Sequence, residues 1–149
     1  MKILFATDGS DFSEAAANKC CTMFGGTPES EIKVVSVYEP FQPIASEPFA
    51  VSAEYYREMT QSAQKQAEHF AESAAEKMRE QCPTADINFE VLEGKPSARI
   101  VEFAEEWKAE VIVVGSHGRG FWGRLLGSVS NSVVNHSPCS VMVVRKPAD

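Results

Sequence analysis

The chain has 149 residues, 44% of them hydrophobic and 23% charged, with a formal net charge of −7. A single domain of this size buries enough surface to fold without disulfide or metal staples. Its acidity speaks against general nucleic-acid binding, and no apolar run approaches the roughly 18 residues of a membrane span.

The opening MKILFATDGS enters a strand-like run at once and turns polar too quickly for a signal peptide, so a cytoplasmic protein is expected. Four cysteines (Cys20, Cys21, Cys82, Cys139) show no CxxC or Cys/His ligand spacing, so they are expected to be small, mostly buried apolar side chains, with no metal site. Charge is unevenly spread. Val111 to Ala148 holds Arg119, Arg124, Arg145 and Lys146 and no acid, a segment of +4 that leaves −11 for the rest. That asymmetry suits one specific anion site better than a polyanion track.

Strand and helix patterns alternate along the chain. Lys2 to Thr7 is a first buried strand. A helix follows, with Asp11 and Glu14 spaced as a capping box and Ser10 as a rival cap; Phe12, Ala16, Cys20 and Met23 share its inner face, and Gly25-Gly26 ends it. Ile32 to Glu39 is the second strand. Pro40 to Ala53, with three prolines, is a long loop that acts either as a cover over a ligand or as a plain connection. A long helix from about Glu54 to Gln81 carries the stripe Tyr56, Met59, Ala63, Ala67, Phe70, Ala74 and Met78, with His69 at the surface. Cys82-Pro83 stops it. Asp86 to Glu93 alternates apolar and polar residues, as a strand toward a sheet edge does. The next helix has Pro96 near its first turn and Ile100, Val101, Ala104 and Trp107 buried. EVIVVG is the fourth strand, SVSNSVVNH a short helix and CSVMVVRK the last strand. Strands joined by helix-length crossovers predict a single α/β domain, residues 1–149, with a doubly wound parallel sheet. Ligands in such sheets bind at the carboxyl ends of the strands.

Three motifs do not hold up. GKPS at Gly94 lacks the earlier glycine of a P-loop, since Phe89 stands there. Adjacent Ser116 and His117 lack a G-x-S-x-G elbow. TDGSDF after the first strand has only Gly9, so no GxGxxG is present. The stretch GSHGRGFWGRLLGS (Gly115 to Ser128) is different: five glycines and two arginines stand between a buried strand and a helix, as an anion site or a mobile, merely permissive loop would have them. Free N–H groups and the positive dipole end of that helix suit an anion. Gly115 and Gly118 are expected to shape the turn leaving the sheet by adopting positive φ or by close approach. Gly127 is expected to bring the chain back against the ligand, with the Ser128 hydroxyl donating to a phosphate oxygen.

VVGSHGRGFWGRLLGSVSNSVVNHSPCSVMVV and ILFATDGSDFSEAA closely resemble the universal stress protein family, and the resemblance covers the whole chain. It implies a Rossmann-like five-stranded parallel sheet of order 3-2-1-4-5 with helices on both faces, binding ATP, with Mg2+, in a homodimer joined through the C-terminal strand. Residue by residue, it implies that Asp8 holds the ribose and Val37 touches the adenine. Val114, Gly115 and Gly118 line the nucleotide, and Gly127, Ser128, Val129 and Ser130 take the phosphates. The family signature places nine residues between its second and third glycines; here eight separate Gly118 from Gly127. A one-residue shift turns a helix by about 100°, which would misaim the cradle unless Gly120 and Gly123 absorb it. No side chain in the motif is a general base aimed at a γ-phosphate, so turnover is expected to be slow or absent. The competing readings are a weak ATPase or autophosphorylating protein with Ser128 or Ser130 as acceptor, and a partner-binding stress module with a vestigial site.

Overall fold

The computed structural model describes residues 1–43, 51–118 and 125–147. Along the chain run β1 (Lys2–Ala6), α1 (Asp11–Phe24), β2 (Glu31–Tyr38), α2 (Ala53–Gln81), β3 (Asp86–Glu93), α3 (Pro96–Trp107), β4 (Val111–Gly115), α4 (Ser128–His136) and β5 (Ser140–Val144). The sheet is all parallel with order β3-β2-β1-β4-β5, as expected. Residues 44–50 of the Pro40 to Ala53 loop lie outside the described residues, as do Arg119, Gly120, Gly123 and Arg124. No helix among the described residues is long and apolar enough to cross a membrane.

Alternate side chains leave opposite faces of a strand, so a sheet covered on both sides needs apolar residues in succession. Ile3 and Phe5 of β1 pack with Ile32, Val34 and Val113 beneath α1 and α2, whereas Leu4 joins Val35, Ile112 and Val114 beneath α3 and α4.

Four local expectations need correction. Ser10, not Asp11, caps α1: its backbone is extended, its Oγ accepts the Ser13 N–H at 3.2 Å, and its carbonyl accepts the Glu14 N–H at 3.0 Å. Asp11 is therefore already inside the helix, and the Glu14 carboxylate pairs with Lys77 instead, at 3.0 Å. Ala16 and Cys20 are buried as expected, but Met23 is 52% exposed, because the buried face of α1 runs through Ser13, Ala16, Ala17, Cys20 and Cys21 and Met23 falls beside it. In α2 the deepest residues are Ala67, Ala71, Ala75 and Met78, a row that lets the helix lie close on the sheet; Phe70 and Ala74 flank it, half-buried. In α3, Phe103 is buried, while Trp107 is half-buried beneath the ammonium groups of Lys2 and Lys33, 5.2 and 5.9 Å from its ring.

Cys20, Cys21 and Cys82 are buried as free thiols. Burial, helped by the neighbouring Cys82 sulfur, pushes the Cys20 thiol from about 9 up to about 12. Burial and a hydrogen bond with Cys82 raise Cys21 as well. The folded chain thus keeps these protons at pH values where the unfolded chain releases them. The stability they contribute is complete below about pH 9 and is lost as pH rises toward about 12. Urea unfolding should show stability falling progressively over that window. A Cys20→Ala/Cys21→Ala variant should lose less of its stability between neutral and alkaline pH; an equally steep fall in that variant would refute the thiols as the cause.

Candidate functional site

The β1–β2 register ends with Ala6 opposite Val35, and one further bond joins the Thr7 N–H to the Val35 carbonyl at 2.9 Å. Alternate residues of a strand turn their N–H and C=O to the same neighbour. Val37, two residues beyond Val35, therefore points its backbone donor and acceptor to the side where β1 has already ended. On the other side of β1, β4 runs to Gly115 and leads directly to Ser116 and His117. The reversal of strand order lies here, and so does a cleft of about 340 Å³.

Asp8 stands at the head of β1 and is held there by local chemistry. Its Oδ1 accepts the Ser10 N–H at 3.0 Å and the Ser13 Oγ–H at 2.5 Å, while its own N–H donates to Ser13 Oγ at 3.2 Å. Gly9 makes the turn possible: its φ is +73°, and a Cβ there would lie 2.4 Å from the Phe70 ring.

Of the two roles expected of the motif glycines, those described take close approach and not positive φ. Among described glycines, only Gly9 and Gly94 have positive φ, and Gly127 has φ −64°. They permit close approach. A Cβ on Gly115 would lie 2.8 Å from the Phe12 carbonyl carbon, and one on Gly118 would lie 2.7 Å from Asp8 Oδ2. A Cβ on Gly127 would lie 3.2 Å from the His117 Cα, so this residue closes against the start of its own segment.

That closure also answers the shortened spacing. The Gly127 N–H donates to the Ser116 carbonyl at 2.8 Å, and the Ser130 Oγ–H donates to the same oxygen at 2.9 Å. The position and phase of α4 follow from these bonds to β4 rather than from the length of the span between. Gly127 is the N-cap of α4 with no side-chain cap, and the first intrahelical bond is from the Asn131 N–H to the Gly127 carbonyl. The N–H groups of Ser128, Val129 and Ser130 consequently lead out of the helix end, where its dipole is positive.

All nine residues singled out in the sequence line this one cleft: Asp8, Val37, Val114, Gly115, Gly118, Gly127, Ser128, Val129 and Ser130. Their parts differ. Ser128 is exposed, whereas Ser130 is 3% exposed with its hydroxyl directed to protein carbonyls. Sequence reasoning missed Ser13, which anchors Asp8, and the walls Val35, Pro96, Ile100 and His117. Pro96 belongs to the broken P-loop look-alike, so the segment dismissed as a motif returns as a wall. The signal for Ser13 was a hydroxyl in the first helical turn after an Asp-Gly pair. Nothing local marks Pro96 or Ile100.

The model of the universal stress protein family matches residues 1–145. Universal stress protein MJ0531 of Methanocaldococcus jannaschii is 36% identical over 152 residues, spanning 98% of this chain and 82% of that protein. Among solved structures, universal stress protein UspA of Lactobacillus plantarum superposes with a TM-score of 0.80 at 21% identity, over 97% of both chains. An Arabidopsis thaliana family member crystallised with AMP bound superposes with a TM-score of 0.72 at 22% identity, over 100% of this chain and 94% of that one.

Ser130→Ala removes a buried donor but leaves the Ser116 carbonyl its bond from Gly127. It should cost about 0.5–1.5 kcal/mol of stability, read from the urea midpoint. No change would mean that the Ser130 hydroxyl does not tie α4 to β4.

Proposed function

This chain belongs to the universal stress protein family, and on that premise we propose that it is a regulatory protein of the stress response that binds an adenine nucleotide, ATP with Mg2+, in the cleft at the strand reversal. The observation that carries the reading is convergence: apolar walls, an anchored carboxylate and an uncapped helix N-terminus face one cavity of nucleotide size. The family member with AMP bound supports the class of ligand.

In this reading the backbone of Val37 meets the adenine edge and Asp8 takes the ribose. Val114, Gly115 and Gly118 line the middle of the nucleotide. The N–H groups of Ser128, Val129 and Ser130 take the phosphates beside Gly127, whose own N–H is held by the Ser116 carbonyl, and Ser128 adds a hydroxyl. Among the described residues no group of three or more acidic, His or Cys side chains is arranged to hold a metal. Magnesium would therefore arrive as the counter-ion of the phosphates, which usually supply much of its coordination. Turnover is slow or absent in this reading, because among the described residues the cleft offers no poised base. The His117 ring that lines it is engaged by Ser116 and by the Leu125 carbonyl. The protein acts in the cytoplasm, where its free thiols stay reduced.

Calorimetric titration with ATP and with adenosine tests the assignment. Ser128→Ala should weaken ATP about 10- to 100-fold, the worth of a hydrogen bond to a charged group, and leave adenosine unchanged. Asp8→Ala should weaken both ligands, since ribose is common to them. Unchanged ATP affinity in Ser128→Ala would move the phosphates elsewhere, and a wild type that binds neither ligand would overturn the reading.

We also propose a homodimer through β5. This strand lies at the sheet edge, and Val141 to Val144 are apolar but only half-buried. The Val144 carbonyl accepts the Ser116 N–H, so Val144 and Met142 face β4 and Val143 turns its backbone outward. Val143→Pro thus removes an outward donor and spares the β4 ladder. Sedimentation should give a wild-type dimer and a folded Val143→Pro monomer. A wild-type monomer at micromolar concentration would exclude this interface.

A further inference from the structure

We infer that His117 is a positioning residue, a clasp that holds the returning end of the glycine segment so that the N-terminus of α4 can take phosphate. The inference rests on the nucleotide reading above and concerns how that site keeps its shape. His117 is 6% exposed and stacks at a tilt on Phe12, with ring centroids 5.1 Å apart. Its Nδ1 lies 2.9 Å from Ser116 Oγ, and its Nε2 is hydrogen-bonded to the Leu125 carbonyl.

The chemistry of that carbonyl fixes the ring. A carbonyl oxygen only accepts, so Nε2 carries the hydrogen, and in the neutral ring a bare Nδ1 accepts the Ser116 Oγ–H. One side chain thereby joins the residue leaving β4 to a residue two positions before the N-cap of α4. The Gly127 N–H to Ser116 carbonyl bond closes the same ends through the backbone. Gly127 has no Cβ because the two strands of this closure touch, within 3.2 Å of the His117 Cα. The backbone bond fixes Gly127, and the imidazole fixes Leu125, the approach to it. The Ser116 bonds set the aim of the three N–H groups; without the ring, the chain at Leu125 that borders them loses its anchor and is free to swing. The base and ribose end, built on β1 and β2, does not depend on it.

The test compares wild type, His117→Phe and His117→Gln. Phe keeps the apolar contact with Phe12 and loses both hydrogen bonds; Gln keeps an amide able to donate to the Leu125 carbonyl. ATP affinity should fall about tenfold or more in His117→Phe, adenosine affinity should fall clearly less, and His117→Gln should recover most of the ATP loss. Amide hydrogen exchange on the nucleotide-free proteins supplies a readout that needs no ligand: residues 125–129 should exchange faster in His117→Phe and near wild type in His117→Gln. Equal ATP binding by wild type and His117→Phe, or equal loss of ATP and adenosine, overturns the clasp. If wild type binds no nucleotide, the functional reading fails, and the exchange experiment alone decides the clasp. Unchanged exchange in His117→Phe then rejects it.

Discussion

The carbonyl oxygen of Ser116 accepts two hydrogen bonds from the start of α4, from the Gly127 N–H and the Ser130 hydroxyl. A carbonyl has two lone pairs, and here both are spent on tying one helix to the strand before it. This is a local bond with a long reach, because a helix held at its first turn has its axis, phase and dipole set together. The three N–H groups that α4 leaves without intrahelical partners then lead out beside the end of β4. Were α4 positioned only by packing of Val133 against the sheet, its rotation would be free to follow the length of the connecting span.

Close backbone approach is the second constraint, and it explains why so many glycines gather at one end of the sheet. Three chain segments meet there: the turn after β1, the exit of β4 and the entry to α4. Gly115 lets β4 pass the Phe12 carbonyl, Gly118 lets its exit pass the Asp8 carboxylate, and Gly127 lets α4 return to His117. A Cβ at Gly115 or Gly127 would press on the backbone of the neighbouring segment, and one at Gly118 on the Asp8 carboxylate, with the cleft between them. The Asp8–Ser10–Ser13 bonds stiffen the first of the three segments, so the glycines close onto a fixed wall.

The cleft is therefore a product of two layers. Its apolar walls are continuations of the core beneath α3 and α4, where Val35, Ile100 and Val114 already belong to the buried cluster. Its polar end is made by loops and a helix terminus that carry no acid other than Asp8 among the lining residues. A planar apolar group at one end and an anion at the other match that division.

Much of this was written in the chain itself. Alternation of strand and helix patterns specified a parallel α/β sheet, because parallel strands require crossovers of helix length. The run of glycines before Ser128, set between a buried strand and a helix start, pointed to this end of the sheet, though glycine content alone fits a permissive loop as well. Resemblance to the family, carried by the start of the chain as well as by the glycine stretch, supplied the nine residues that share the cleft. The tertiary structure decided what each of those residues does. In α2 alanines stand on adjoining faces, with Ala67 shared by both, so only packing against the sheet selected Ala71 and Ala75 over Ala74 and Phe70. Ser10 displaced Asp11 as a cap because capping depends on which residue's backbone is extended. Gly115, Gly118 and Gly127 proved to serve proximity rather than handedness, and His117 proved to grip a carbonyl eight residues ahead. Such contacts join segments distant in sequence, and a linear pattern carries no record of which surfaces will touch.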